Sequence, residues 1–387
     1  MRVAGAWIFA LIGTAVALEI GARVAESIVD DLRRGRAAGP EGFVFDAEAG
    51  WRARPGYAGE LYGATRVFDA QGFLTVDGDD LAARAGKIVL LGDSRTFGNG
   101  VAAEATFAEQ LEEAIPGAST VNLGLPGYTS YQGLRTLETR GLPLDPAVVV
   151  LAFDFNDRRY VLRASDVDGP EHFRDLAARA ERRRWARLAD RSTLVRLTRR
   201  LVSGPDPDAG SVDADDLRPR VGVASYRANL ERMLELCRAR RIRAVVMTFG
   251  DHPDARAPLD EGRRALARGD VPAALAPLRR AVGLVNPLSE AARRLLRETY
   301  AASGEASLAS ALSRVEVPFR SLHGGDPIEP DATYREAAED VAKRAGVTVL
   351  DVGALLAAHP ETYADVCHFD EQGHRLIADA LASILAP

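Results

Sequence analysis

Cysteine and lysine are nearly absent from this 387-residue chain, which has two of each: Cys237 and Cys367, Lys87 and Lys343. Two cysteines are too few for a disulfide framework and match no metal-ligand spacing, which leaves the redox compartment open. A surplus of positive charge is missing as well. The formal net charge is −6, so no field gathers nucleic acid, and a nucleic-acid partner is not expected. The basic residues are almost all arginine, a habit of the whole sequence, so a single Arg cluster says little about a site. Nothing calls for a metal or an organic cofactor.

What is present is a globular composition, 47% apolar, long enough to bury a sizeable core as two domains or as one domain with insertions. Val3 to Leu18 (VAGAWIFALIGTAVAL) is uncharged and preceded only by Arg2 and the α-amino group. Such a run is the short end for a membrane span and the long end for a signal-peptide core, and either one sends the remainder across a membrane. Ala15-Val16-Ala17 offers a cleavage site, but Glu19, Arg23 and Glu26 continue in helical spacing. The expectation is an uncleaved helical anchor within residues 1–38, with the body outside the cytoplasm, periplasmic or extracellular. Residues 39–86 hold short apolar pieces between Gly and Pro and read as a small β-rich cap. Its Trp51, Tyr57, Tyr62 and Phe73 are expected to pack it onto the body.

The main domain, residues 87–387, is organised around Lys87 to Val101, KIVLLGDSRTFGNGV. Four apolar residues, Ile88 to Leu91, end abruptly at Gly92-Asp93-Ser94 and read as a strand buried on both faces. Ser94 then sits at the carboxyl end of a central parallel strand, where open α/β sheets place their ligands. A helix over Thr106 to Ile115 leads to a strand over Thr120 to Leu123 and the turn NLGLPG. A helix over Ser130 to Arg140 precedes a third strand in AVVVLAFDFND that ends near Asn156. Three strands thus deliver Ser94, Gly124 and Asn156 to one edge. Acyl transfer needs hydrogen-bond donors aimed at a developing oxyanion, and the N–H of Ser94, the N–H of Gly124 and the Asn156 amide supply three. A helix over Ser225 to Arg240, a strand over Ile242 to Phe249, a helix over Tyr334 to Arg344, a strand over Val347 to Asp351 and a closing helix over Gln372 to Leu385 complete a doubly wound pattern.

Between the last strand and the last helix, Asp365 and His368 stand three apart. On a helical turn or tight loop that spacing lets the carboxylate hold Nδ1–H and leaves Nε2 to take a proton from a hydroxyl. His374 is a rival base, but it falls in the first turn of the final helix and is assigned to structure.

Two insertions interrupt the pattern. Residues 170–216 carry a helix over Glu171 to Leu201 with ten arginines, read as a solvated surface helix, and an acidic loop over Ser203 to Asp216. Residues 258–316 hold Glu261 to Gly304, whose order of small and large residues (Ala265, Gly269, Ala274, Leu278, Ala281, Pro287, Leu295, Tyr300) resembles a tetratricopeptide helical hairpin. One such repeat cannot bury its face alone, so it is expected to pack on the body or on a protein partner.

Gly92-Asp93-Ser94, Gly124 in NLGLPG, Asn156 in FDFND, and Asp365-x-x-His368 followed by Gly373-His374 together resemble the SGNH (GDSL-type) hydrolases. The resemblance covers about Lys87 to Leu385 apart from the insertions. It departs from the family at Asp154, where the third segment usually has Gly. It implies a flavodoxin-like three-layer sandwich with a five-stranded parallel sheet. It also implies serine esterase chemistry, with Ser94 as nucleophile, His368 as base and Asp365 orienting it. The N-terminal anchor and β cap are similar to the membrane-tethered bacterial branch. The expected substrate is an acyl ester, acetyl esters among them, on a cell-envelope glycan or lipid. An O-acyltransferase acting on a surface polysaccharide and a silent binding module are the other two readings.

Overall fold

A computed structural model of the chain describes residues 42–76, 86–161, 167–173, 210–213, 216–283, 289–312, 314–317 and 330–386. The anchor expected over residues 1–38, most of the Arg-rich helix and its acidic loop, and Pro287 lie outside the described residues. Among the described residues no helix is long and apolar enough to cross a membrane.

The chain opens with the cap. Strands β1 (Phe43–Asp46) and β2 (Gly50–Ala53) pair antiparallel, and β3 (Ala58–Leu61), β4 (Ala64–Phe68) and β5 (Leu74–Thr75) form a second antiparallel sheet. The body follows with β6 (Lys87–Gly92), α1 (Ser94–Phe97), α2 (Phe107–Ala114), β7 (Ser119–Asn122), α3 (Ser130–Thr136), β8 (Val148–Ala152), β9 (Tyr160–Val161), β10 (Gly210–Asp213), β11 (Arg218–Pro219), α4 (Val223–Ala239) and β12 (Arg243–Thr248). Next come α5 (Pro253–Ala267), α6 (Val271–Gly283), α7 (Ser289–Ala302), α8 (Ala306–Ala311), β13 (Arg314–Val317), α9 (Asp331–Ala345), β14 (Thr348–Asp351), α10 (Val352–Leu356) and α11 (Glu371–Leu385).

Five strands form one parallel sheet in the order β14-β12-β8-β6-β7. Counted along the chain from β6, this is the flavodoxin-like order 2-1-3-4-5, whose direction of winding reverses between β6 and β8. Side-chain alternation divides the core between the two faces. Ile88, Leu90, Val150, Val245 and Met247 meet Phe107, Leu111, Ile377 and Leu381 of α2 and α11. Val89, Leu91, Val149, Leu151 and Val246 meet α4 and α9 through Tyr226, Leu230, Met233 and Val341. On α4 the buried Tyr226, Leu230, Met233, Leu234 and Cys237 recur at helical spacing, which is why this segment winds and lays one face on the sheet.

The cap shares the second of these cores through Leu61, Phe68, Phe73 and Leu74. Three of its four named aromatics pack on the body as expected: Trp51 stands edge-on to Tyr128 at 5.5 Å, Tyr62 edge-on to Phe97 at 6.1 Å, and Phe73 lies under the Arg140 guanidinium at 4.5 Å, while Tyr57 lies against Phe68 of the cap itself. Arg66 of β4, fully buried, reaches into the body and donates to Gly98 O at 2.5 Å and Val101 O at 2.8 Å.

Three boundaries differ from the sequence expectation. Strand β8 ends at Ala152, four residues before Asn156, because Asp154, Asn156, Asp157 and Arg158 are buried polar residues whose side chains find partners that a ladder would deny them. Helix α3 stops at Thr136 and widens into a π turn over Leu137–Gly141. The helical insertion begins at Pro253 instead of 258: proline suits a helix's first position, and the His252 ring caps the turn by accepting Asp254 N–H at 3.1 Å. Its helices α5 to α7 bury their apolar faces among themselves, with Leu259, Ala265, Ala274, Leu278, Ala281, Leu296 and Tyr300 forming a separate core against which α8 rests Ala309. The hairpin therefore closes its own core instead of leaning on the sheet.

Candidate active site

The nucleophile turn is built by strand β6 stopping at Gly92 and α1 starting at once. Asp93 caps α1, its Oδ1 accepting Arg95 N–H at 3.0 Å. Ser94, first residue of that helix, is half-buried, and among the described residues its N–H has no acceptor.

Asp365 and His368 share a tight loop before α11. Asp365 Oδ1 accepts Cys367 N–H at 2.9 Å and His368 N–H at 2.8 Å, folding the carboxylate back over its own turn. Its Oδ2 then lies 2.7 Å from His368 Nδ1, and His368 Nε2 lies 2.7 Å from Ser94 Oγ. With a carboxylate on Nδ1, the imidazole carries its proton there, and Nε2 accepts from the serine hydroxyl. Partial burial pushes the Asp365 carboxyl up. The hydrogen bond and charge of His368 and the two backbone N–H groups outweigh that and hold it well below the usual carboxylate range. The loop is pinned from outside by His252 N–H to Val366 O at 2.8 Å and Tyr363 OH to Gly250 O at 3.1 Å.

His374 is where the sequence put it, in structure. It is 1% exposed, stacks on Phe107 and accepts Phe107 N–H through Nδ1 at 3.2 Å. Burial first, then the charges of His368 and Arg66, lower its pKa to about 3, so the ring stays neutral.

The three expected oxyanion donors fare differently. Asn156 is buried and gives one amide N–H to Asp93 Oδ2 at 3.3 Å, which leaves the other. Gly124 is the correction: its N–H is given to Asn122 Oδ1 at 3.0 Å, while Asn122 Nδ2 donates to Thr96 O at 2.6 Å. Gly124 is glycine for packing, since a Cβ there would stand 2.6 Å from Thr96 Cβ. Three residues on, Gly127 has φ +80, a conformation that favours glycine, and among the described residues its N–H has no acceptor. Its carbonyl is held by Arg220 Nη1 at 2.7 Å, and Leu125 N–H donates to Gly92 O at 3.2 Å, laying this turn across the end of β6.

The sequence reading passed over a buried charge network beneath these groups. Arg95, 2% exposed, sends Nε to Asp93 Oδ1 at 3.0 Å and Nη2 both to Asp93 Oδ2 at 2.8 Å and to Asp154 Oδ1 at 2.5 Å. Burial works against its charge, but Asp154 and Asp93 overcome it and hold the guanidinium protonated. Beyond Asp154, Arg158 pairs bidentately with Asp251 at 3.0 and 2.8 Å. Asp154, where the sequence departs from the family, is thus a buried half of an ion pair.

Asp365, Cys367 and His368 also bring three ligand-type atoms within 4.8 Å of one another. They suit a metal poorly. Burial, then the Asp365 charge, pushes the Cys367 thiol well above its ordinary range, and the carboxylate and imidazole already bond each other.

A parallel flavodoxin-like sheet with a hydroxyl, an imidazole and a carboxylate in line at its carboxyl edge defines the class as an α/β ester hydrolase. Residues 90–300 match the family described as GDSL-like Lipase/Acylhydrolase, more than half of the sequence, and the chain belongs to that family. Similar solved structures include a lipase/acylhydrolase from Enterococcus faecalis (15% identity, 77% of this chain and 94% of that one, TM-score 0.39). A GDSL-like lipase from Bacteroides thetaiotaomicron VPI-5482 shares 12% identity over 77% of this chain and 87% of its own, with TM-score 0.37. A member of the lipolytic protein G-D-S-L family from Veillonella parvula DSM 2008 shares 11% over 77% and 97%, with TM-score 0.35. No curated protein sequence matches the chain.

Proposed function

We propose that this ester hydrolase works through Ser94, His368 and Asp365 on acyl esters, acetyl esters among them, of cell-envelope glycans or lipids. The observation that carries the reading is the unbroken line from Asp365 Oδ2 to His368 Nδ1 at 2.7 Å and from His368 Nε2 to Ser94 Oγ at 2.7 Å. Ser94 Oγ bonds the acyl carbon as its proton passes to Nε2; collapse of the tetrahedral adduct breaks the ester C–O bond, and the departing alcohol takes the proton from Nε2. Water repeats the cycle on the acyl-enzyme and releases the acid. The Ser94 N–H and the free Asn156 amide N–H stabilise the oxyanion, and Gly127 N–H replaces Gly124 as the third donor. The apolar Val3 to Leu18 run supports a tether that keeps the body on the outer side of a membrane.

The test is covalent labelling with a fluorophosphonate, read by peptide mass, beside turnover of p-nitrophenyl esters of increasing chain length and of acetylated sugars. The label is expected on Ser94 and absent from Ser94→Ala. Label on another residue, or no turnover of any ester by folded enzyme, overturns the reading. An added glycan acceptor should leave the acyl group going to water; capture by the glycan would make the protein a transferase. Recovery of the full-length chain as a soluble cytoplasmic protein would sink the tether.

A further inference from the structure

Asp93 carries two duties. Its Oδ2 accepts Asn156 Nδ2 at 3.3 Å, which turns the amide, and it does so 1% exposed and next to the nucleophile. An uncompensated carboxylate there would oppose the negative charge that develops on the substrate oxygen, and burial removes the water that would screen it. We infer that Arg95, tied to Asp154, is a positioning device for the oxyanion side of the site, fixing the Asn156 amide relative to Ser94 and offsetting the charge of Asp93.

The geometry supports both halves. The Arg95 fork covers both oxygens of Asp93, at 3.0 and 2.8 Å. The same Nη2 reaches Asp154 Oδ1 at 2.5 Å, two residues before Asn156, and so ties the end of β6 to the loop after β8. Those are the two strands between which the sheet reverses its winding. The guanidinium plane lies on the Phe249 ring with its carbon 3.9 Å from the centroid, which fixes its orientation. Asp154 is held from its other side by Arg158 Nε at 3.6 Å, itself anchored on Asp251. Stability alone does not call for such an array, since apolar side chains of similar volume commonly serve a buried position as well as an ion pair does. Arg95 and Asp154 thus act through Asn156 and Asp93 and touch no substrate.

The inference rests on Asn156 being an oxyanion donor, and a double-mutant cycle separates the two. Turnover of p-nitrophenyl acetate and thermal melting are measured for the full chain and for Asn156→Ala, Arg95→Met, Asp154→Asn and the two double variants with Asn156→Ala. Asn156→Ala is expected to lose about 10²–10³ in kcat. Arg95→Met is expected to lose about tenfold or more in kcat with KM within about threefold, and to lose less once Asn156 is already Ala, where only the uncompensated charge of Asp93 still opposes the oxyanion. A third double variant, Arg95→Met with Asp154→Asn, should recover part of the loss, because it removes one of two like charges left facing each other. Asp154→Asn, nearly isosteric, gives the same cycle if Arg95→Met does not fold. Equal losses in both backgrounds, or a lower melting temperature with kcat unchanged, overturn the positioning role while leaving Asn156 its part. An Asn156→Ala enzyme of undiminished kcat overturns the reading of the site and the inference with it.

Discussion

On the proton-handling side of the site, the Asp365 side chain is 54% exposed and that of His368 20%. On the oxyanion side Asp93, Arg95, Asp154 and Asn156 are each 3% exposed or less. In the proposed reaction His368 gains and loses a proton while Asp365 stays ionised, and nearby water lets the pair relax at each step. Three hydrogen bonds from its own turn and the charge of His368, not burial, keep Asp365 ionised. The second set holds fixed charges and dipoles, and for that burial is an advantage, because donors in a dry site need no reorganisation when the oxyanion forms. Arginine suits it because its charge does not titrate.

The comparison breaks most sharply at the exposed side. Ser94→Ala and His368→Ala are each expected to cost about 10⁴–10⁶ in kcat, and because the two act as a unit the double variant should be hardly worse than either one. Additive losses in ester turnover would show them working independently. Asp365→Asn should come next: the imidazole keeps its place but loses the partner that fixes its tautomer, so kcat falls further than in Asn156→Ala yet stays measurable. Asn156→Ala, on the buried side, is expected to cost about 10²–10³ with KM little changed.

His374→Gln sharpens the contrast between two histidines six positions apart. Turnover should stay within a few-fold, and the effect should appear in acid stability. The folded chain keeps this ring neutral down to about 3 against an ordinary 6.5. Between those values the unfolded chain binds a proton that the folded one refuses, and wild-type stability falls as pH falls. Melting temperatures of the variant should lose that part of the slope.

The smallest effect is expected from Asp157→Asn. Burial first, then the Asp154 charge, against the Ser130 hydrogen bonds, push Asp157 up to about 8 from 3.8. The folded chain holds a proton that the unfolded chain releases, so this group weakens stability as pH rises from 3.8 to 8. The variant should melt closer to constant across that window, and by pH 8 no lower than wild type.

The strands and the four site segments were legible because each is local: a continuous apolar run for β6, a three-residue spacing for Asp365 and His368. What escaped depends on partners far along the chain or on a single side chain. Arg95 and Asp154 are 59 positions apart, and each taken alone is an ordinary charged residue in an Arg-rich sequence. Of the two glycines in NLGLPG, spacing cannot say which keeps its N–H free; the Asn122 side chain decides, by taking that of Gly124. The start of α5 was hidden because Pro253 and Pro258 look like loop, although a proline at a helix's first position costs it no hydrogen bond. The closed core of α5 to α7 was likewise invisible from one repeat-like stretch, since closure needs three helices and the first begins at Pro253, ahead of that stretch.

The hydrogen bond between Ser94 and His368 spans 274 positions, and this sets a schedule. A chain made from its N-terminus has Ser94 after the first strand of the parallel sheet and His368 only after all five. Until the loop after β14 is made, the growing polypeptide carries a serine without the imidazole that is proposed to take its proton. On the proposed mechanism, hydrolytic power waits for the loop after β14, and a chain cut short before His368 stays at that earlier, silent stage.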